Sequence, residues 1–210
     1  MTLAAARDVL VTHASPGQYV EVRADQETGF FVLSSEPGAP AWQLVMRAGG
    51  GASDVLLAAA AGKALEVTSA LGAGFPMTEA RGHPLIVVLG GSGIAAGPSL
   101  VRQRVLEGDA VRTRVFVGAR TREEFGMRPV VEAWCHAGVE VLLCLSNDDG
   151  AFEGFPSAQG YVQDVLRARA GNLDLTGGYI FAVGADSMVD ALRRVAPALG
   201  LEPQRVRTNH

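Results

Sequence analysis

The period of the hydrophobic positions changes near residue 80. Before it, apolar and polar residues alternate over Gln18–Arg23, Trp42–Arg47 and Ala64–Thr68, and Phe30–Leu33 is a compact apolar run. Alternation at period two predicts half-buried strands, and Pro16-Gly17, Pro37-Gly38 and Gly72-Ala73-Gly74 supply the turns between them. One helix interrupts the series at Ser53–Ala61, with Ser53 read as its N-cap and Gly62 as its stop. Residues 1–80 are therefore expected to form a small antiparallel β-barrel or sandwich.

After His83-Pro84, short β-branched runs alternate with helical ones. Strands are predicted near Leu85–Leu89, Arg114–Val117, Val139–Leu145, Tyr179–Val183 and Arg205–Arg207. Helices are predicted near Pro98–Glu107, Arg128–Ala137, Gln159–Ala168 and Ser187–Leu199. That rhythm specifies an α/β domain over 81–210, a five-stranded parallel sheet with helices on both faces. The boundary is placed between Thr78 and Pro84.

The stretch Leu85–Leu100, LIVVLGGSGIAAGPSL, carries the first chemistry. An apolar strand stops at Gly90-Gly91-Ser92-Gly93, and a helix is expected from Pro98, its free N–H groups aimed back at the turn. Strand, glycine turn and helix start together make a site for an anion such as a phosphate. Gly91-x-Gly93-x-x-Ala96 fits the dinucleotide fingerprint. The acid that usually follows the second strand to hold a ribose is missing, because that strand ends in Gly118-Ala119-Arg120. The alternative is a turn that only closes a βα unit.

Composition narrows the partners. The net charge is −4 without a basic stripe, which gives no electrostatic footprint for nucleic acid. No apolar run reaches the roughly 20 residues that cross a bilayer, and the first residues lack the form of a signal peptide, so no membrane insertion and a cytoplasmic location are expected. Cys135 and Cys144 are the only cysteines and read as small buried hydrophobes. The four histidines, His13, His83, His136 and His210, make no metal-ligand pattern.

Several motifs in order resemble the ferredoxin–NADP reductase family of flavoproteins. Pro16-Gly17-Gln18-Tyr19-Val20 is similar to its PGQ-aromatic strand, and Gly51-Ala52-Ser53 to the segment under the flavin pyrophosphate. Gly72-Ala73-Gly74-Phe75 resembles the turn that ends its barrel. Gly90-Gly91-Ser92-Gly93-Ile94-Ala95-Ala96 resembles its GG(T/S)GIAP turn, Gly118-Ala119-Arg120 its GAR, and Gly160-Tyr161-Val162 its third βα loop. The resemblance implies FAD, a pyridine nucleotide, and hydride or electron transfer from NAD(P)H through the flavin to an acceptor, either a small molecule or a redox partner protein. It places the flavin against Phe31, Val32, Leu33 and Ser34, with Phe31 as the stacking ring. It places the nucleotide against Gly90, Gly91, Ser92, Gly93, Ile94, Ala95, Gly118, Ala119, Arg120, Ser146, Asn147 and Asp148, with Gly184, Ala185 and Met188 near the nicotinamide.

The departures are specific. Gly29-Phe30-Phe31-Val32 stands where the family has Arg-x-Tyr-Ser, so the phosphate-binding arginine is gone. Val183-Gly184-Ala185 stands where it has Cys-Gly-Pro. Ser92, the one hydroxyl in the glycine turn, is the candidate catalytic side chain, with helix capping as its alternative. Ser146-Asn147-Asp148-Asp149 follows the third strand, where the resemblance puts the adenine-side ribose, and its two carboxylates argue for NADH over NADPH by repelling a 2′-phosphate, with a solvated turn closed by Gly150 as the alternative. Phe152-Glu153-Gly154-Phe155-Pro156 reads as a lid. A non-catalytic nucleotide-binding or interaction module that has lost flavin binding is the other function class this sequence fits.

Overall fold

The computed structural model describes residues 1–148 and 154–209. The chain begins with β1 (Thr2–Leu3), α1 (Arg7–Leu10), β2 (Tyr19–Ala24), β3 (Glu27–Val32), β4 (Trp42–Gln43), α2 (Ala52–Ala58), β5 (Glu66–Val67) and α3 (Met77–Ala80). β2 pairs antiparallel with β3 and β5, β1 pairs with β4, and a bridge from Leu33 to Leu44 joins the two small sheets. Alternation sends Val20, Val22, Phe31 and Leu33 into one core with Trp42, Leu44 and Leu56. Tyr19, Phe30 and Val32 therefore lie on the opposite face of the same strands.

Two of the expected strands shrink to two residues each. β4 pairs with the two-residue β1 and is otherwise met at its end, by Leu33 and Ser34, and β5 pairs with two residues of β2; a strand persists only where a neighbour takes its hydrogen bonds. α2 also differs from expectation. Gly51, at φ 59°, is its N-cap, Ser53 lies inside the helix, and the end comes at Ala58, short of Gly62. The Asp54 carboxylate accepts the backbone N–H groups of Gly49 and Gly50, each at 3.0 Å. These bonds tie the chain before the N-cap to the first turn, and the helix start itself carries no side-chain cap.

The second half runs β6 (Leu85–Gly90), α4 (Gly97–Leu106), β7 (Thr113–Ala119), α5 (Arg128–His136), β8 (Glu140–Leu145), β9 (Ser157–Gln159), α6 (Val162–Arg169), β10 (Tyr179–Val183), α7 (Asp186–Val195) and β11 (Val206–Arg207). These strands form one parallel sheet of six in the order β11-β10-β6-β7-β8-β9. The strand beyond the expected five is β9, a three-residue edge element whose Ser-Ala-Gln sequence needs no apolar signature. It takes Gln159 out of the predicted helix, which starts at Val162. Both faces of the sheet are covered. Leu85, Val87, Leu89, Val115 and Val117 pack with residues of α4 and α5. Ile86, Val88, Phe116 and Leu142 pack with residues of α6 and α7.

The barrel is fastened to this sheet at several points. Phe75, from the turn after β5, stacks on Phe181 of β10 with ring centroids 4.8 Å apart and planes at 18°. A Cβ at Gly17, whose φ is +92°, would come within 2.6 Å of that ring, so the Pro16-Gly17 turn is fitted to it. Asn209 donates to the Gly17 carbonyl at 2.9 Å, Ser34 Oγ donates to the Ala95 carbonyl at 2.7 Å, and Arg102 pairs with Glu36. Phe75, Met77 and Ala80 belong to the core under the parallel sheet.

His13 is buried at 2% exposure in this half, and burial pulls its pKa from 6.5 to about 4. The unfolded chain therefore binds a proton that the folded chain refuses. Stability is full above pH 6.5, falls as the pH drops toward 4, and loses about 3 kcal/mol over that window. His13→Leu is expected to flatten this part of the curve, read from denaturant midpoints at pH 7 and 4.5.

Candidate functional site

A cleft of about 930 Å³ opens at the carboxyl ends of the central strands. The chain leaves β6 for β7 on one side and later places β10 on the other, so the crevice falls at the switch point where open α/β sheets bind ligands. Gly90–Gly93, Gly118–Arg120 and Val183–Ala185 form its floor and walls. The helical N-terminus facing it begins earlier than expected. A 3-10 segment, Gly91–Ala96, runs directly into α4 at Gly97, and neither start carries a side-chain cap. Ser92 is exposed in the cleft and is not a helix cap.

The glycines of the turn have different duties. Gly91 has φ +56° and open space where a Cβ would stand, which leaves its backbone free for a phosphate. At Gly93 a Cβ would meet the Val183 carbonyl oxygen at 2.3 Å, so this glycine serves close packing of the turn against β10. Gly90 and Gly184 both make room for Met188: a Cβ at Gly90 would come within 2.8 Å of its Sδ and one at Gly184 within 2.6 Å of its Cε. Ile94 packs against the core and Ala95 is buried, with its carbonyl held by Ser34. Those two residues stand behind the turn, outside the cleft.

Charge in the cleft comes from Arg47, Arg120 and Arg194, with Glu124 paired to Arg120. Arg120 donates Nε to Glu124 at 2.9 Å and its backbone N–H at 3.2 Å, and these bonds hold the Glu124 carboxyl below its ordinary range. Glu124 stands just beyond the end of β7, on the 3-10 turn Arg122–Glu124. A carboxylate is therefore present near the place where the fingerprint asks for one. Ser146 lines the cleft, whereas Asn147 and Asp148 do not. Asn147 donates its backbone N–H to the Arg120 carbonyl at 2.8 Å, and the Asp148 carboxylate is engaged by the Arg122 guanidinium. The repulsion expected from Asp148 is thus spent on a neighbour. Asp149 and the first part of the expected lid, Phe152-Glu153, lie outside the described residues. Phe155 is buried and packs edge-on against Phe125, in the core and not over the cleft.

On the barrel side, Val32 and Arg47 reach the cleft. Phe31 does not. It is 9% exposed, its ring covers Gly29 and faces Ala52, and the alternation of β3 turns it into the barrel. Leu33 and Ser34 are buried as well. Gly51, Ala52 and Ser53 sit at the start of α2, away from the cleft lining, where Asp54 takes the nearest amides. Val32 also borders a shallow recess of about 350 Å³ formed with Tyr19, Phe30 and Asn209.

Cys144 lies on the cleft floor, where burial pushes its thiol up to about 12, so it is no thiolate at neutral pH. Cys135 is exposed, contrary to expectation, because it falls on the outer side of α5. Gly160, Tyr161 and Val162 of the third βα loop line the cleft, and Arg47, Glu124, Gln163 and Arg194 line it beyond the sequence-derived set. Helical spacing is the signal that could have found one of them, since Ser187, Ala191 and Arg194 share a face of α7. Among the described residues, no group of three or more His, Cys, Asp or Glu side chains is placed to hold a metal. No helix among them is long and apolar enough to cross a membrane.

A barrel beside a parallel nucleotide-binding sheet, with a cleft at the strand ends, defines a ferredoxin–NADP reductase-like architecture. The chain belongs to the oxidoreductase NAD-binding domain family, whose model matches residues 87–194. Fruit protein pKIWI502 of Actinidia deliciosa is 25% identical over 215 residues, covering 95% of this chain and 67% of the relative. The electron transfer subunit of dihydroorotate dehydrogenase B (NAD(+)) from Shouchella clausii is 29% identical over 191 residues, 87% of this chain and 68% of that protein. The ferredoxin NADP+ reductase of Neisseria gonorrhoeae, solved with bound FAD and NADP, shares the fold at a TM-score of 0.78 and 14% identity, over 99% of this chain and 89% of that one. The chain spans about two thirds of the length of the curated relatives.

Proposed function

We propose that this chain is an NADH-preferring, FAD-dependent reductase that passes electrons to a partner protein. The observation that carries the reading is the cleft itself: an open glycine turn at a helical N-terminus and three arginines border an aromatic recess on the barrel through Val32. The electron-transfer subunit among its relatives supports a role as a relay.

The turn at Gly91 and the positive end of the 3-10 segment bind the nucleotide's pyrophosphate, and Arg47 adds charge from the barrel side. Ser92 is placed to donate to a phosphate or to the nicotinamide amide. The closeness of Met188 to Gly90 and Gly184 sets the depth of the floor on which the nicotinamide rests. FAD, when bound, supplies the chemistry that accepts a hydride and releases electrons. The residues present fit its ring end, where Val32, Phe30 and Tyr19 offer an apolar face next to the cleft. Positioning is the protein's contribution, and a displacement of about 1 Å at this junction costs on the order of a hundredfold in rate.

The coenzyme preference now rests on Glu124. Its carboxylate lines the cleft, as that of Asp148 does not, and although Arg120 pairs with it, it keeps lone pairs for the hydroxyls of an NADH ribose and biases modestly against a 2′-phosphate. Calorimetric titration is expected to show tighter binding of NADH than of NADPH. Glu124→Gln is expected to shift the ratio toward NADPH by about fivefold, less at high salt because exposed charges are screened over roughly 8–10 Å. A wild-type protein that binds NADPH more tightly overturns the assignment.

A further inference from the structure

We infer that the open edge of β11 is a docking groove for an extended, acidic segment of a partner protein, which joins the parallel sheet as a further strand. The groove shares no lining residue with the nucleotide cleft, so the inference does not depend on the flavin or on the coenzyme.

β11 ends the strand order of the sheet, and among the described residues β10 is its one strand partner. Its second edge therefore carries main-chain N–H and C=O groups that no neighbouring strand takes, and such a row is a template for another strand. A cavity of about 530 Å³ lies along that edge. Val206 turns into the core with residues of α7, and Arg207 turns to the opposite face, where its guanidinium meets the Glu79 carboxylate of α3 at 3.1 Å. Residues of both parities nevertheless line the cavity, since Val206, Arg207 and Thr208 all border it. Arg193 of α7 flanks it on one face of the sheet and Glu79 of α3 on the other. The space thus straddles the strand edge between two helices, and an added strand has that shape.

Charge selects the segment. On the α7 side Arg193 is the cation of the lining, and its partner Asp190, at 3.2 Å, stands outside the lining. Both members of that pair are exposed, and exposed pairs exchange partners readily. On the α3 side Arg207 is already matched by Glu79, and Pro76 also borders the space. A strand sends alternate side chains to opposite faces, so the segment that fits puts carboxylates toward Arg193 and neutral or apolar side chains toward α3. A second copy pairing edge to edge about a two-fold axis would set Arg193 against Arg193, which disfavours it as the occupant.

The test is fluorescence anisotropy of the full chain with a labelled, end-blocked six-residue peptide that alternates glutamate and valine. It is expected to bind saturably. Two analogues are expected to bind at least about tenfold more weakly: one with lysine in place of glutamate, and one N-methylated throughout, which cannot donate to the edge. Arg193→Glu is expected to weaken the glutamate peptide by about tenfold and to bind the lysine peptide more tightly than the wild type does, with circular dichroism unchanged. No binding of the glutamate peptide, equal binding of either analogue, or unchanged affinity in Arg193→Glu overturns the inference. Sedimentation velocity without peptide is expected to give the same oligomeric state for the wild type and Arg193→Glu. A dimer that this substitution disrupts gives the groove to a second copy and overturns the inference as well.

Discussion

Gly93→Val is expected to leave little folded protein, while Gly91→Ala folds and loses its nucleotide. The two glycines are two residues apart in one turn, and the contrast follows from what a Cβ meets. At Gly93 it meets the Val183 carbonyl at 2.3 Å, a backbone atom that β10 holds in place through its pairing with β6. Overpacking against backbone costs about 3 kcal/mol or more, and the two methyls of valine add to it. At Gly91 nothing lies within 4 Å, so alanine costs only about 1 kcal/mol for its positive φ. Its methyl then stands where a phosphate approaches the backbone, and NADH affinity is expected to fall by about tenfold or more. Thermal unfolding and calorimetry on the pair check both halves. A stable Gly93→Val protein contradicts the packing assignment, and unchanged NADH affinity in Gly91→Ala contradicts the phosphate assignment.

Arg104→Met is expected to be among the most damaging substitutions away from the cleft. Arg104 is fully buried in α4 and satisfies four partners from three segments: Thr113 Oγ at 2.9 Å, the Asp109 carboxylate at 3.0 Å, and the carbonyls of Ala80 and His83 at 2.8 Å each. It thereby ties the connection between barrel and sheet to the first βα unit. Methionine fills much of the volume but removes the buried partner of Asp109, itself buried, which keeps only the more exposed Arg112 guanidinium at 3.5 Å as a counter-charge. Breaking a buried pair in this way costs about 3–5 kcal/mol. Arg104→Met with Asp109→Leu is expected to recover part of the loss and not all, because Asp109 also accepts the Gly82 N–H at 2.7 Å. Denaturant unfolding of the single and double variants measures this. Equal stabilities of Arg104→Met and the wild type contradict it.

Arg104 also marks a boundary of what the sequence discloses. The parallel sheet was legible because fully buried strands must be apolar throughout, and Leu85–Leu89 and Val141–Leu145 have that form. β9 was not legible, since an edge strand of Ser-Ala-Gln is fixed by its neighbour β8 and not by its own side chains. The glycine turn was legible as a turn between strand and helix, and the structure places it on the cleft, but the division of labour between Gly91 and Gly93 depends on how closely β10 approaches. Phe31 illustrates the limit of motif reading. Its position matched a motif, yet parity along β3 turned its ring inward and left Phe30 outside. Glu124 escaped because the fingerprint looks for an acid at the strand end, and here it is supplied by the short 3-10 turn that follows.

The reading of this chain as a reductase is tested most directly by mixing flavin-loaded protein with NADH in the absence of oxygen and following the visible absorbance of the flavin. Stoichiometric bleaching by NADH, with slower bleaching by NADPH, is the result expected if nucleotide and flavin meet across Val32. Flavin that stays oxidised while calorimetry shows the nucleotide cleft to be filled would contradict it.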